Sequence, residues 1–310
     1  MAGNYLRCVY GKDLPMLKQR LASHLPNSVI LHGTVEAGIR YGLTEKLGTK
    51  LYVPERSVGD SGCFSLVVAT PAFSTKKVQS LSVFWNTEEE DEEEVARMLG
   101  SLPGLDWRKP VFFSISPKTI SSKLVSMAKN QLLSDRDVEA HIFDDSRVFV
   151  HGATKLPHYH IPEGFYLDTL RPKDTPTVMS SWKYRWTESQ TGLETLLQSV
   201  PSVALRKRGD SDPASEDQLV GWCHICNSGM IGNQFIVPEY RGQGLSFIAL
   251  YLILKKTYRD GLFPYFAVST SYNKDKVKFE ELGFVKGMAM EAVFYLPKGK
   301  TVEGFINTLN

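Results

Sequence analysis

The segment best suited to chemistry is a glycine loop between a predicted strand and a predicted helix. Arg241-Gly242-Gln243-Gly244-Leu245-Ser246 follows a strand pattern at 230–237, and an apolar helix pattern begins at Leu245 and runs to Arg259. Glycines at such a junction let backbone N–H groups approach a ligand closely, and the helix N-terminus adds unpaired donors and partial positive charge. The loop therefore predicts a phosphate or pyrophosphate site. Two glycines alone also fit a turn that merely joins a strand to a helix.

Other clusters that could bind a metal or carry redox chemistry are sparse. The four cysteines have no spacing that indicates a disulfide framework: Cys8, Cys63, Cys223 and Cys226. The last two form a C-x-x-C without a second ligand pair, and their apolar setting favours a buried strand over a zinc site. His158 and His160 lack a third ligand nearby. We therefore predict no metal.

The residues around the loop resemble a known motif. Val237-Pro238-Glu239-Tyr240-Arg241-Gly242-Gln243-Gly244 is similar to the acyl-CoA motif of the GNAT superfamily, Arg/Gln-x-x-Gly-x-Gly/Ala, with Ser246 where Gly or Ala is usual. A strand pattern at 265–270 and the block Phe279-Glu280-Glu281-Leu282-Gly283-Phe284 resemble the superfamily's fifth strand and following helix. The resemblance covers about 165–296, and its segments 220–229, 241–245 and 263–273 look most like the glycine N-acyltransferase-like proteins.

The resemblance implies a mixed, splayed sheet and an acyl-CoA site. The pantetheine arm would pair with a bulged fourth strand at Phe235, Ile236 and Val237, and the diphosphate would lie on the amides of residues 243–246. The implied site comprises these residues: Phe235, Ile236, Val237, Arg241, Gly242, Gln243, Gly244, Leu245, Ser246, Asn273 and Phe279. An acceptor amine would attack the thioester carbonyl, and a strand amide would stabilise the oxyanion.

The usual proton carriers of that family are replaced in this sequence. The glutamate that acts as base in glycine N-acyltransferases corresponds to Met230, and the tyrosine that protonates the thiolate corresponds to Phe279. His224 and Tyr272 are the candidate catalytic residues that could replace them, with Ser271 beside the second. A histidine on an apolar strand also fits a buried structural role.

Three functions therefore remain open at this stage. The first is an N-acyltransferase that uses acyl-CoA and a small primary amine, such as glycine or another amino acid. The second is a CoA-binding protein of the same fold with little or no catalysis, as Met230 and Phe279 suggest. The third is an interaction module in which the loop is only a turn.

The elements of the N-terminal half predict an α/β domain over residues 1–155. Apolar runs predict strands at 64–69, 81–85, 111–115 and 139–151. One helix should follow Asn86-Thr87, with acids at 88–94 near its start. Another should have Ser116 as its N-cap and Pro117 at its first position. The sequence leaves open whether this domain, which has no glycine loop, is a degenerate copy of the second.

The second predicted domain, residues 162–298, carries the loop. Strand patterns occur at 165–170, 203–206 and 219–226, and the pattern Thr187-Glu188-Ser189-Gln190 resembles a capping box that starts a helix through Leu193, Leu196 and Leu197. Together with the strands of the first half, these patterns predict an α/β (α+β) fold with a GNAT-like C-terminal domain.

The composition of the chain limits the kinds of partner and location that the sequence predicts. The 310 residues are 42% hydrophobic and carry 36 basic and 34 acidic residues, so the net charge of +2 predicts neither nucleic acid nor an anionic membrane as partner. The apolar run at 247–254 is far shorter than the roughly 20 residues of a membrane span. Residues 1–21 lack the apolar core of a signal peptide, so we expect a cytoplasmic protein, with mitochondria as the alternative that the resemblance suggests. Oligomeric state is left open.

Overall fold

Strands and helices follow one another in the same order in both halves of the chain. We describe the fold from a computed structural model, which covers residues 5–55, 66–71, 78–88, 91–133, 137–152, 159–209, 217–270, 279–280 and 282–309. The N-terminal elements are β1 Leu6–Val9, α1 Leu14–Ala22, α2 Val29–Tyr41, α3 Leu43–Lys46, β2 Lys50–Pro54, β3 Val67–Thr70, β4 Gln79–Phe84, α4 Glu92–Gly100, β5 Val111–Pro117, α5 Lys118–Lys129 and β6 Val138–His151.

The second half repeats this layout. Its elements are β7 Phe165–Asp168, α6 Thr175–Ser181, α7 Gln190–Ser199, β8 Ser202–Lys207, β9 Gln218–Ile225, β10 Ile231–Ile236, α8 Leu245–Arg259, β11 Tyr265–Ser269, β12 Phe284–Pro297 and α9 Val302–Asn307. Apart from the short α3, both halves run strand, two helices, three strands, helix, strand. The first half therefore has the layout of the second.

The two halves exchange their long last strands. An eight-stranded sheet has the order β1-β2-β3-β4-β5-β12-β6-β11, so β12 lies beside β5 of the first half and β6 lies beside β11 of the second. Strands β6 and β12 run antiparallel along their whole length, with Phe284 opposite His151 and Pro297 opposite Val138. The shared sheet crosses the boundary predicted between residues 155 and 162.

A second sheet of four antiparallel strands has the order β10-β9-β8-β7 and belongs to the C-terminal half alone. Helix α8 packs against β8, β9 and β10 and buries most of its apolar residues. Gly221 of β9 makes room for Ile236 of the neighbouring strand β10, because a Cβ there would lie 2.5 Å from the Cδ1 of Ile236. The core of this half also includes Ala37 and Phe149 from the first half.

The predicted elements of both halves are largely present. Helix α8 has the predicted bounds, and α4 buries Val95, Met98 and Leu99 as its periodicity requires. No helix among the described residues has both the length and the apolarity needed to cross a membrane.

Two predicted helix starts were wrong. Ser116 is not an N-cap, because it lies opposite Glu291 in the β5–β12 pair, which extends β5 to Pro117. Thr187 ends a short 3-10 turn, and Ser189 caps α7 by accepting the N–H of Gly192 at 3.0 Å. In both places the sheet or the preceding turn fixed the backbone that the local pattern assigned to the helix.

Candidate functional site

The glycine loop has a backbone shape that only glycine adopts readily. Gly242 and Gly244 have φ angles of +81° and +76°, and Gly244 is the N-cap of α8. A Cβ at either position would meet nothing within 4 Å. Conformation, not crowding, therefore requires these glycines, and the space in front of the loop is open to a ligand.

The loop also presents unused donors. Within the described part of the chain, the backbone N–H groups of residues 242–246 have no hydrogen-bond acceptor in the protein. They lie at the N-terminus of a 15-residue helix, where the first amides lack intrahelical partners and the helix dipole is positive. This arrangement suits a phosphate or diphosphate.

The motif arginine holds the loop in place. Nε of Arg241 donates to the carbonyl of Ile236 at 2.9 Å, and its guanidinium lies 5.4 Å from the centre of the Phe235 ring. Phe235 in turn stacks on the buried Trp222 with ring centres 4.9 Å apart. Gln234 adds a second tie, from its Nε2 to the carbonyl of Ser246 at 2.5 Å. The Arg241 side chain thus contacts β10, the strand that precedes the loop.

Strand β10 offers an open edge beside the loop. Among the strands that the structure describes, β10 pairs with β9 only, and it shares no backbone pairing with its neighbour β11. Val237 donates its N–H to Val220 of β9 at 2.9 Å, so the backbone of Ile236 faces away from β9, toward the open edge. The bulge implied by the resemblance is present at Asn233, whose φ is +49°.

The space between β10 and β11, here called the cleft, is closed at its other end by two contacts. One joins β11 to the β9–β10 turn, and the other comes from α2 of the first half. The hydroxyl of Tyr265, at the start of β11, donates to the carbonyl of Ser228 in the β9–β10 turn at 2.6 Å. Gly33 of α2 packs against the same place, since a Cβ there would lie 2.2 Å from the Ser228 carbonyl oxygen. The strands are therefore held together at their beginnings and unpaired toward the loop.

The candidate proton carriers lie in different places. His224 is buried, its Nδ1 lies 2.9 Å from the carbonyl of Ile225, and its Nε2 has no partner among the described residues. Burial lowers its pKa, so the imidazole is neutral at pH 7. Tyr272 and Asn273 lie outside the described residues. Phe279 is buried against Phe266, with ring centres 4.7 Å apart.

The C-x-x-C cysteines are free thiols in an apolar setting. Burial raises the pKa of Cys223 and raises that of Cys226 to about 12, so both are protonated at neutral pH. The residues that the structure describes contain no group of three or more side chains arranged for a metal.

The sequence interpretation missed Glu188. It included this residue only as part of the capping-box pattern Thr187-Glu188-Ser189-Gln190 at the start of α7. Glu188 instead precedes the cap with extended backbone, φ −129° and ψ 153°, and burial raises its pKa to about 7. The motif spacing carried no signal for it, because its burial depends on tertiary contacts.

Comparison with known proteins shows the fold. No protein-family model and no curated protein matches the chain. Among solved structures, a Drosophila protein has a TM-score of 0.74 at 16% identity, covering 96% of this chain and 100% of that one. A GCN5-related N-acetyltransferase from Sphaerobacter thermophilus has a TM-score of 0.54 at 14% identity, covering 96% and 97%. A tandem GNAT protein from the clavulanic acid biosynthesis pathway has 0.56 at 11% identity, covering 96% and 99%. The chain therefore has the GNAT fold in a tandem layout.

Proposed function

We propose that this GNAT-fold chain is an N-acyltransferase that moves an acyl group from acyl-CoA to a small primary amine such as an amino acid, glycine among them. One observation carries the proposal: the unpaired amides of residues 242–246 lie beside the open edge of β10. The fold supports it, because two of the similar structures are GCN5-related or GNAT proteins.

The two features would divide the work of binding acyl-CoA. The diphosphate would accept hydrogen bonds from the amides of residues 243–246, while Arg241 keeps that loop tied to β10. The pantetheine arm would pair with the open edge through the N–H of Ile236, since the Ile236 carbonyl already accepts from Arg241. This arrangement would bring the thioester toward the bulge at Asn233.

Acyl transfer from this position needs few protein groups. The amine attacks the thioester carbonyl, a backbone N–H of β10 stabilises the oxyanion, and the thiolate leaves. A base must first take a proton from the acceptor ammonium. His224 and Tyr272 stay predictions for the proton transfers.

The second candidate is a CoA-binding protein with little or no catalysis. The observation that favours it is the pair of apolar residues, Met230 and Phe279, at the positions that correspond to the usual base and acid. It shares the loop and the open edge with the first candidate. The two therefore differ only in turnover.

A thermal shift with acetyl-CoA tests binding. At 100 times the dissociation constant, a ligand that binds only the folded state adds about 2.7 kcal/mol of stability. Gly244→Val should abolish the shift, because valine does not adopt φ near +76° without strain. Gly261→Val is the matched control: Gly261, just past the end of α8, also has positive φ and open space. Retained binding by Gly244→Val would refute the loop assignment.

Thiol release separates the two candidates. Wild-type protein is incubated with acetyl-CoA, a longer acyl-CoA and a panel of amino acids and simple amines, and free CoA thiol is measured. Amine-dependent release supports the enzyme, whereas a thermal shift without release supports the binding protein.

A further inference from the structure

We infer that Glu188 is the general base of the acyl transfer, taking the proton from the ammonium of the acceptor. This inference rests on the proposed function, and it names a residue that no motif in the sequence marks. Its basis is the position of one half-buried carboxyl group near the start of β10, with no hydrogen-bond or ion-pair partner among the described residues.

The segment that carries Glu188 is fixed to the large sheet. It connects α6 to α7 over residues 182–189, and its Trp186 is buried with ring centres 5.0 Å from Phe112 and 5.3 Å from Phe294. The N–H of Glu188 donates to the carbonyl of Arg185 at 3.2 Å. The backbone is therefore held on both sides of the carboxyl group, as a positioned base requires.

The carboxyl group lies near the start of the bulged strand. It is close enough to the Cys226 thiol to raise the pKa of that thiol. Cys226 donates its N–H to the carbonyl of Met230 at 2.7 Å, and a Cβ on Gly232 would lie 2.5 Å from its sulfur. Glu188 thus brings a carboxylate to the region where the resemblance expects a base and where Met230 has none.

Its electrostatic setting suits proton transfer. Burial is the influence that raises the pKa of Glu188 to about 7, with no cation or hydrogen-bond donor among the described residues opposing it. A base works best when its pKa lies near the working pH. The carboxylate is therefore both available and basic enough at neutral pH.

Two other carboxylates, Asp144 of β6 and Asp174 before α6, are committed to partners. Asp144 accepts from Tyr184 at 2.6 Å and from Ser269 at 3.2 Å. Asp174 pairs with Arg206 at 2.7 Å. The buried imidazole of His224 lies within a strand, whereas Glu188 is only half-buried and remains accessible to an acceptor.

The step balances in atoms and charge. Ionised Glu188 takes one proton from the acceptor ammonium, and the neutral amine forms a C–N bond to the thioester carbonyl. When the tetrahedral intermediate collapses, the C–S bond breaks and the departing thiolate takes the second amine proton. Glu188 then returns its proton to water, so the products are an amide, CoA thiol and one released proton.

The first test is Glu188→Gln, which keeps the shape and removes the base. We expect kcat/KM at pH 7 to fall about 10²-fold or more, with loss of the acidic limb near pH 7, while the acetyl-CoA thermal shift is unchanged. Glu194→Gln, at a half-buried position within α7, is the matched control and should leave the rate and the profile unaltered. A Glu188→Gln enzyme with wild-type rate and profile would overturn the inference, as would CoA binding by the wild type without turnover.

A second measurement does not depend on turnover. Carboxyl ¹³C NMR of protein labelled at glutamate should show one resonance that titrates near pH 7 and that is missing in Glu188→Gln. Titration of that resonance near 4.5, the ordinary value, would overturn the role of Glu188. Failure of the proposed function looks different: the wild type would show no thermal shift with any acyl-CoA, whatever Glu188 does.

Discussion

The two halves of this protein place the same elements at the same junction but give that junction opposite chemistry. In the second half, β10 leads through Gly242 and Gly244 into α8, and the amides of the loop are unpaired. In the first half, β4 leads into α4 through Glu88 and Asp91, and the first turn of α4 carries three glutamates. Acidic side chains at a helix start already interact with the positive end of the helix dipole, which a phosphate would otherwise do.

The neighbouring strands differ in the same direction. Strands β4 and β5 pair in parallel, from Gln79 opposite Val111 to Leu81 opposite Phe113. Strands β10 and β11 share no such pairing, which leaves an edge for a ligand. Within the shared layout, the proposed CoA site thus lies where the loop lacks acids and the sheet is open. The first half instead supplies β6 and the α2 contact that support the second.

The largest expected effect comes from separating the halves. Expressing residues 1–155 and 156–310 as separate chains should leave neither fragment a stably folded monomer, because β12 would lose β5 and β6 would lose β11. Co-expression should restore a 1:1 complex. Circular dichroism, thermal unfolding and size-exclusion chromatography with light scattering measure this.

A cooperatively folding monomer of residues 156–310 would break the comparison. It would mean that the second half builds its own sheet and that the predicted two-domain division, 1–155 and 162–298, is a division into independent units.

The next effect concerns the contact that closes the cleft. Gly33→Ala should lower the free energy of unfolding by about 3 kcal/mol, because the added methyl would lie 2.2 Å from the Ser228 carbonyl oxygen. Urea unfolding measures it. Gly100→Ala is the control, since a Cβ at that helical glycine of the first half meets nothing within 4 Å, and it should change stability by less than about 1 kcal/mol. Equal losses of unfolding free energy in Gly33→Ala and Gly100→Ala would show that α2 does not support the cleft.

A smaller effect should appear in the pH dependence of stability. The pKa of Glu188 rises from 4.5 in the unfolded chain to about 7 in the folded protein, so its favourable contribution is present below pH 4.5 and is lost as the pH rises to 7. Relative to Glu188→Gln, wild-type protein should therefore lose roughly 2 kcal/mol of stability across that range, less than the roughly 3 kcal/mol of the full pKa shift, because solvent screens a half-buried carboxyl group. Urea unfolding of both proteins at several pH values measures the difference, and parallel curves would contradict it.

The last prediction is that a substitution at the acidic junction of the first half has no effect on CoA binding. Because the acidic junction of the first half should not bind CoA, titration calorimetry should find one acetyl-CoA per chain, and Asp91→Asn should leave both stoichiometry and affinity unchanged. Binding of a second CoA, or its loss on the change of Asp91, would show that the halves are more alike in function than their junctions indicate.

Much of this protein was determined by local sequence. The apolar periodicity of α8 and the glycines before it predicted a strand, loop and helix with the observed bounds of the helix, because those signals depend only on neighbouring residues. The fold class followed from the same patterns and from the resemblance.

Only the tertiary structure decided the rest. The exchange of β6 and β12, which extends β5 through Ser116, depends on pairing between residues more than a hundred positions apart. The burial that gives Glu188 its raised pKa depends on packing around the segment between α6 and α7. The sequence by itself predicted the loop where a phosphate would bind. Long-range packing decided the surroundings of Glu188, because no local pattern records what a side chain meets across the fold.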